Sequence, residues 1–208
     1  MILYCVRHGE SISNAEGRVQ GQSDVELSDL GRRQGEAIAR ALAGRPIAVV
    51  YSSPLRRALE TARILGRRIG VEVRVDPRLR EIHAGIFQDK RRSEINRLYP
   101  EAIARWISED PDYVIPGGES RNQLRQRGLA AFASIFASHD QQAVVVAHGR
   151  LLVTTIKALL DIPPKAPPHS LQNGSITALS SEDGKVQLVA LDQIDHLYDV
   201  GVSGKGDL

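Results

Sequence analysis

At 208 residues with 42% hydrophobic content, the chain is long enough to bury a core without disulfides or bound metals. A net charge of +2 and 4% aromatic content argue against a nucleic-acid binder, no apolar run has the length of a membrane span, and the start "MILYCVRHG" lacks the basic region of a signal peptide. The lone cysteine, Cys5, excludes an internal disulfide and reads as a small buried thiol in a reducing, cytoplasmic setting.

In chain order, a β-rich apolar run over Ile2–Val6 comes first and breaks off in Arg7-His8-Gly9. A helical stretch over Ser28–Ala43 follows, with Ser28 as N-cap and Gly44 beyond its end. A second run, Ile47–Tyr51, leads through "SSPLRRALETA" into a helix over Leu55–Ile69, and a third, Val71–Val75, continues into "DPRLREIH". Residues 82–117 interrupt the rhythm with charged helical stretches, prolines and glycines, and no strand is expected there. The segment reads as a lid-like insertion over the strand ends, not a separate domain. A helix over Gly118–Ala137 precedes a fourth run, Ala143–Ala147, which ends in His148-Gly149. Another helix near Leu151–Leu160 stops at "DIPPKAPP". The last runs, Ser175–Leu179 and Lys185–Leu191, flank "SSEDGK" and read as a hairpin at a sheet edge. The tail 201–208 is expected to fray. This alternation specifies α/β: a three-layer α/β/α sandwich with a mainly parallel central sheet, one domain over residues 1–208.

Ligands of open parallel sheets bind outside the carboxyl ends of the strands. There the sequence places Arg7 and His8, then Arg56 and Arg57, then Glu81, then His148. Arginine forks match phosphate oxygens, and N–H groups at helix starts add donors. A neutral imidazole attacks phosphorus and holds the phosphoryl group, a carboxylic acid protonates the departing oxygen, and a second histidine stabilises charge on the transferring oxygens. The scheme calls for no metal and no cofactor, and neither zinc-type ligand spacing nor a helical HExxH pattern occurs.

The ordered set "RHGESISNAEGRVQGQSDVELSDLGRRQ", "YSSPLRRALETA", "LREIHAGIFQ", "PGGES", "VVVAHG" and "LQNGSIT" resembles the histidine phosphatase superfamily, which includes cofactor-dependent phosphoglycerate mutases. The resemblance spans nearly the whole chain and implies a phosphoglycerate mutase-like fold. It implies His8 as phosphorylated nucleophile and Glu81 as proton donor, with Arg7, Arg57 and His148 completing the phosphate pocket. Arg57 is preferred to Arg56 because it directly precedes Ala58 in the motif. Asn14 matches a phosphate-donating position, and Ser11 lies in the same motif. Gln20 and Gly21 match a substrate-touching segment, and Gly149 and Arg150 flank the second histidine.

Where the mutases resemble "ERHYG", this chain reads "EIHAG", with Ile82 and Ala84 in place of arginine and tyrosine. Loss of a carboxylate-binding arginine weakens retention of a bisphosphorylated intermediate, so water becomes the acceptor and a metal-independent phosphatase is expected. A phosphoglycerate mutase is the first alternative and a non-catalytic phospho-ligand binding module the second. His83 stands where phosphatase branches often carry an acid; contact with substrate, tuning of Glu81 and a structural role all remain open for it. Asn14 is also a candidate helix cap. Arg91 and Arg92 read as a solvated helix face, Trp106 as lid packing, and His139, His169 and His196 as surface or structural residues. The partners expected are a small anionic phosphorylated substrate and, as an open alternative, a second copy of the chain in a homodimer.

Overall fold

The computed structural model describes residues 1–108, 110–138 and 141–202. Residues 203–208 of the tail and His139 therefore lie outside the described residues. The chain runs β1 (Ile2–Arg7), α1 (Ile12–Ala15), α2 (Asp29–Leu42), β2 (Ile47–Ser52), α3 (Arg56–Ile69) and β3 (Val73–Val75). It continues through α4 (Arg92–Leu98), α5 (Pro100–Ile107), α6 (Arg121–Ser138), β4 (Gln142–Ala147), α7 (Gly149–Leu159), β5 (Ile176–Glu182) and β6 (Lys185–Gln193).

The six strands form one sheet in the order β3-β2-β4-β1-β5-β6. β4 is parallel to both β1 and β2, and β3 is parallel to β2. β5 returns antiparallel to β1, and β6 completes the edge hairpin. The central strands are apolar on both faces, as a sheet covered by helices on each side requires. Tyr4, Val6, Val144 and Val146 pack with Ile38 and Leu42 of α2 and Leu65 of α3. Leu3, Cys5, Val145 and Ala147 face the other way, toward Leu124 and Phe132 of α6 and Leu151 and Ile156 of α7. Burying each such aliphatic side chain stabilises the fold by about 1.5–3 kcal/mol. The same second cluster extends through Phe87, Ile95 and Trp106, so the 82–117 segment shares its core with the sheet.

Helix and strand boundaries moved where local capping overrode the apolar pattern. The helix expected from Gly118 begins at Arg121, because Ser120 and Gln123 form a reciprocal cap: Gln123 N donates to Ser120 Oγ and Ser120 N donates to Gln123 Oε1. The third strand begins at Val73 and so loses Val71 and Glu72; the N–H of Val71 is spent on Gly66 O behind the left-handed Gly70 that ends α3. The last hairpin is longer than expected, and its turn tightens to Asp183-Gly184, both with positive φ.

What positions the site is the common level at which three parallel strands stop. Arg7 is in register with Ala147, and Ser52 with Val146. The first residues past β1, β2 and β4 are therefore His8, Ser53 and His148, side by side.

Candidate active site

His8 leaves β1 with its N–H still bonded to Ala147 O (3.0 Å), and its carbonyl accepts from Gly174 N and Asn173 Nδ2. The side chain is 2% exposed. Nδ1 lies 2.7 Å from the carbonyl of Gly9; a carbonyl only accepts, so Nδ1 carries the ring proton. Nε2 is left with its lone pair, toward which Arg57 Nε donates at 3.2 Å. Burial, then the positive charges of Arg57 and Arg7, holds this imidazole well below the ordinary histidine value. The neutral form of the ring is thereby favoured, with the Nε2 lone pair facing the pocket side where Arg57 lies. Gly9 has no room for a side chain, since a Cβ there would meet Gly31 O at 2.4 Å.

The paired arginines of "SSPLRRALETA" separate at the first turn of α3. Arg57 is 1% exposed, and besides His8 it donates through Nη1 to Ser23 O (2.8 Å) and through Nη2 to Gly21 O (2.7 Å). Gly21 needs its positive φ of 54° and its missing side chain, because a Cβ would press on Ala84. Arg56 points out and pairs with Asp24 and Glu26. Arg7 is buried and donates to Leu171 O.

Glu81 reaches the N-terminus of α7 from the opposite side. Its Oε1 accepts from Ile82 N (2.8 Å) and Leu151 N (3.0 Å), and its Oε2 from Arg150 N (2.9 Å). The helix start supplies donors that no turn of the helix uses. Gly149, the first residue of α7, is buried just behind. The Glu81 carbonyl is held by Gln22 Nε2 and Arg127 Nη2. His148 is fully buried, its ring edge-on to that of His8 with centroids 5.1 Å apart. Its Nε2 faces Ser53 Oγ at 2.8 Å. Burial and the nearby Arg57, His8, Arg127 and Arg7 keep it, too, well below the usual histidine range.

His8, Gln20, Gly21, Arg57 and Glu81 line one pocket, together with Val19, Ile82 and Arg150. Of the other residues singled out in the sequence, His148 packs its ring against that of His8, and Arg7, the residue before His8, places a positive charge near it. Asn14 sits beneath, its Oδ1 accepting from Asn173 Nδ2 (3.2 Å) and from Ser11 N (3.2 Å), the latter as the third helical residue's half of a capping box whose N-cap is Ser11. Ser11 Oγ lies 2.7 Å from Gln20 Oε1, so Ser11 supports the wall and is not part of it. His83 lines no part of this pocket; its Nδ1 accepts from Gly85 N (3.2 Å) and closes a turn. His169 is exposed, and His196 braces Gly174 O. Trp106 is buried under the guanidinium of Arg121. Arg91 and Arg92 are exposed.

Four residues of this neighbourhood escaped the sequence reading: Ser53, Asn173, Arg127 and Glu119. Ser53 and Asn173 lie inside quoted motifs, but serine and asparagine in turns are common enough to pass as turn formers. Arg127 sits on a helix and gave no local signal. It donates to the carbonyls of Arg78 and Glu81 and makes a two-pronged ion pair with Glu119.

A family model described as histidine phosphatase superfamily (branch 1) matches residues 3–194. A glucosyl-3-phosphoglycerate phosphatase of Mycobacterium tuberculosis is 40% identical over 189 residues, covering 86% of this chain and 84% of its own. A metal-independent phosphoserine phosphatase of Arabidopsis thaliana is 36% identical over 209 residues, covering 98% and 86%. The solved structure of a mycobacterial glucosyl-3-phosphoglycerate phosphatase complexed with VO3 superposes with a TM-score of 0.83 at 38% identity, over 93% of this chain and 99% of that one.

Proposed function

The chain belongs to the histidine phosphatase superfamily, and from that premise we propose that it hydrolyses a small phosphomonoester through a phosphohistidine on His8. The observation that carries the assignment is the bonding of the imidazole: Nδ1–H tied to Gly9 O and Nε2 presented to Arg57. In the first half-reaction, Nε2 attacks phosphorus in line. The N–P bond forms as the ester P–O bond breaks, and Glu81 gives its proton to the departing oxygen. In the second, water attacks the phosphoryl group and passes a proton to the Glu81 carboxylate. The N–P bond breaks, and phosphate leaves with His8 restored. Arg7, Arg57, His148 and the Asn14 amide balance the charge on the transferring oxygens. Gln20 and Gly21 shape the pocket wall, Gly149 lies behind it at the start of α7, and the 82–117 segment contributes Ile82 to it.

The substrate we favour carries a carboxylate near its phosphate. The mycobacterial and plant relatives are named for glucosyl-3-phosphoglycerate and phosphoserine, and both compounds have that feature. Arg150, lining the pocket beside Glu81, supplies a cation for it. Hydrolysis is favoured over mutase chemistry because Ile82, 3% exposed, occupies pocket wall where the mutase motif has an arginine. Among the described residues no helix is long and apolar enough to cross a membrane, and the buried Cys5 suits a cytoplasmic setting.

Phosphate release from glucosyl-3-phosphoglycerate, phosphoserine and 3-phosphoglycerate, measured beside mutase turnover with and without bisphosphoglycerate, tests the reading. Acid-labile 32P labelling is expected in the wild type and absent in His8→Ala. Mutase turnover faster than hydrolysis, or no label on the wild type, overturns it.

A further inference from the structure

The residue following β2, Ser53, has no place in the scheme above, yet it is fully buried and touches a ring that does. Its hydroxyl has one proton and must share its surroundings with two groups. Leu55 N donates to Ser53 Oγ (3.3 Å), which uses a lone pair. The ring nitrogen His148 Nε2, at 2.8 Å, is the remaining contact. With the oxygen already accepting from a backbone N–H, the hydroxyl proton goes to the acceptor that a neutral imidazole offers. Nε2 then accepts, and the ring proton of His148 resides on Nδ1. That nitrogen is buried and makes no hydrogen bond to the protein. A buried donor without a protein partner is costly to leave unpaired, a cost expected where the missing partner is a ligand.

We propose that Ser53 is a positioning residue that fixes His148 as the Nδ1–H tautomer, so that this otherwise unsatisfied N–H donates to an oxygen of the phosphoryl group in transit to His8. The opposite tautomer would turn a lone pair toward an anion and repel it. His148 moves no proton in this role: it enters and leaves each half-reaction neutral. Burial, and then the neighbouring charges of Arg57, Arg127 and Arg7, disfavour the imidazolium, so the donor must come from a neutral ring whose tautomer something selects. The placement follows from topology, since Ser53 and His148 are the first residues beyond the adjacent parallel strands β2 and β4. The assignment of a phosphoryl oxygen as acceptor rests on the phosphatase reading; the tautomer does not.

Long-range 1H–15N correlation on histidine-labelled protein without substrate tests the tautomer, with His148→Asn identifying the signals. The expected wild-type pattern is a protonated Nδ1 and an unprotonated Nε2, retained in Ser53→Thr and lost in Ser53→Ala. A protonated Nε2 in the wild type overturns the proposal and needs no variant to fold. In turnover, Ser53→Ala is expected to lower kcat about ten- to a hundredfold with KM little changed, and Ser53→Thr to recover most of it. Unchanged kcat in Ser53→Ala also overturns it. Absence of phosphate release by the wild type strikes the phosphatase reading alone, because the resting tautomer is read without turnover.

Discussion

Two adjacent arginines with the same local sequence meet opposite environments, and the difference decides what each can do. Arg57 is enclosed and divides its donors among His8 Nε2 and two backbone carbonyls; Arg56 pairs with carboxylates in solvent, where ion pairs contribute little. Arg57→Ala should lower kcat/KM by about a thousandfold, since it removes a charged donor from the transition state, whereas Arg56→Ala should stay within about twofold of wild type. Steady-state kinetics on both variants checks this, and equal losses would sink the assignment of Arg57. The histidines make a second prediction at this scale. His8 and His148 are held neutral below the ordinary value of 6.5, so below that pH the unfolded chain binds protons that the native state refuses. Their contribution to stability is present above about pH 6.5 and is lost as pH falls further. The urea midpoint should drop between about pH 7.5 and 5.5, and drop less in His148→Asn. For the same reason single-turnover phosphorylation at saturating substrate should persist below pH 6.5; a limb centred there would show that His8 is not shielded.

Glu81 lies on no helix or strand, and its placement depends on the elements that grip its segment. Arg127 of α6 holds the carbonyls of Arg78 and Glu81 and clasps Glu119, whose Oε2 also accepts from His83 N. Side-chain exposures of 20% and 13% put this pair well inside the usual surface ion pair. Arg127→Ala should therefore cost about 2–4 kcal/mol of stability and lower kcat more than it raises KM. Glu119→Gln combined with it should cost less than the sum. Denaturation and kinetics on the double-mutant cycle decide the point; strict additivity would separate the two side chains. This coupling shows what the sequence could and could not carry. The runs at Ile2 and Ala143 were legible because a strand buried on both faces writes its apolarity continuously. His8, Arg57 and His148 were legible because they end or follow such runs within named motifs. Ser120 was legible in principle as Ser-x-x-Gln but lay behind two glycines that looked like the helix start. Arg127 was not legible: its partners are up to 49 positions away, and only the packing of α6 against the 78–83 segment brings them within reach.

At the scale of the molecule, the pocket is a junction and not a feature of any one element. His8 hangs from β1, Arg57 from α3, Glu81 from the segment after β3, and Arg150 from α7. Arg57 already donates to His8, and the start of α7 to Glu81, so a ligand bound there adds a further tie among four stretches of chain. Binding to the folded state alone raises stability by RT ln(1 + [L]/Kd), about 2.7 kcal/mol at a hundredfold excess over Kd. For a chain of this length that corresponds to an increase in Tm of about 5–10 °C. Orthovanadate, a phosphoryl mimic, should raise the Tm of the wild type by this order. It should fail to raise that of Arg57→Ala, whose pocket loses its central cation. Thermal unfolding over a vanadate titration reads both outcomes. A full shift in Arg57→Ala would mean that the anion binds elsewhere, and the convergence of strand ends would then be architecture without a ligand.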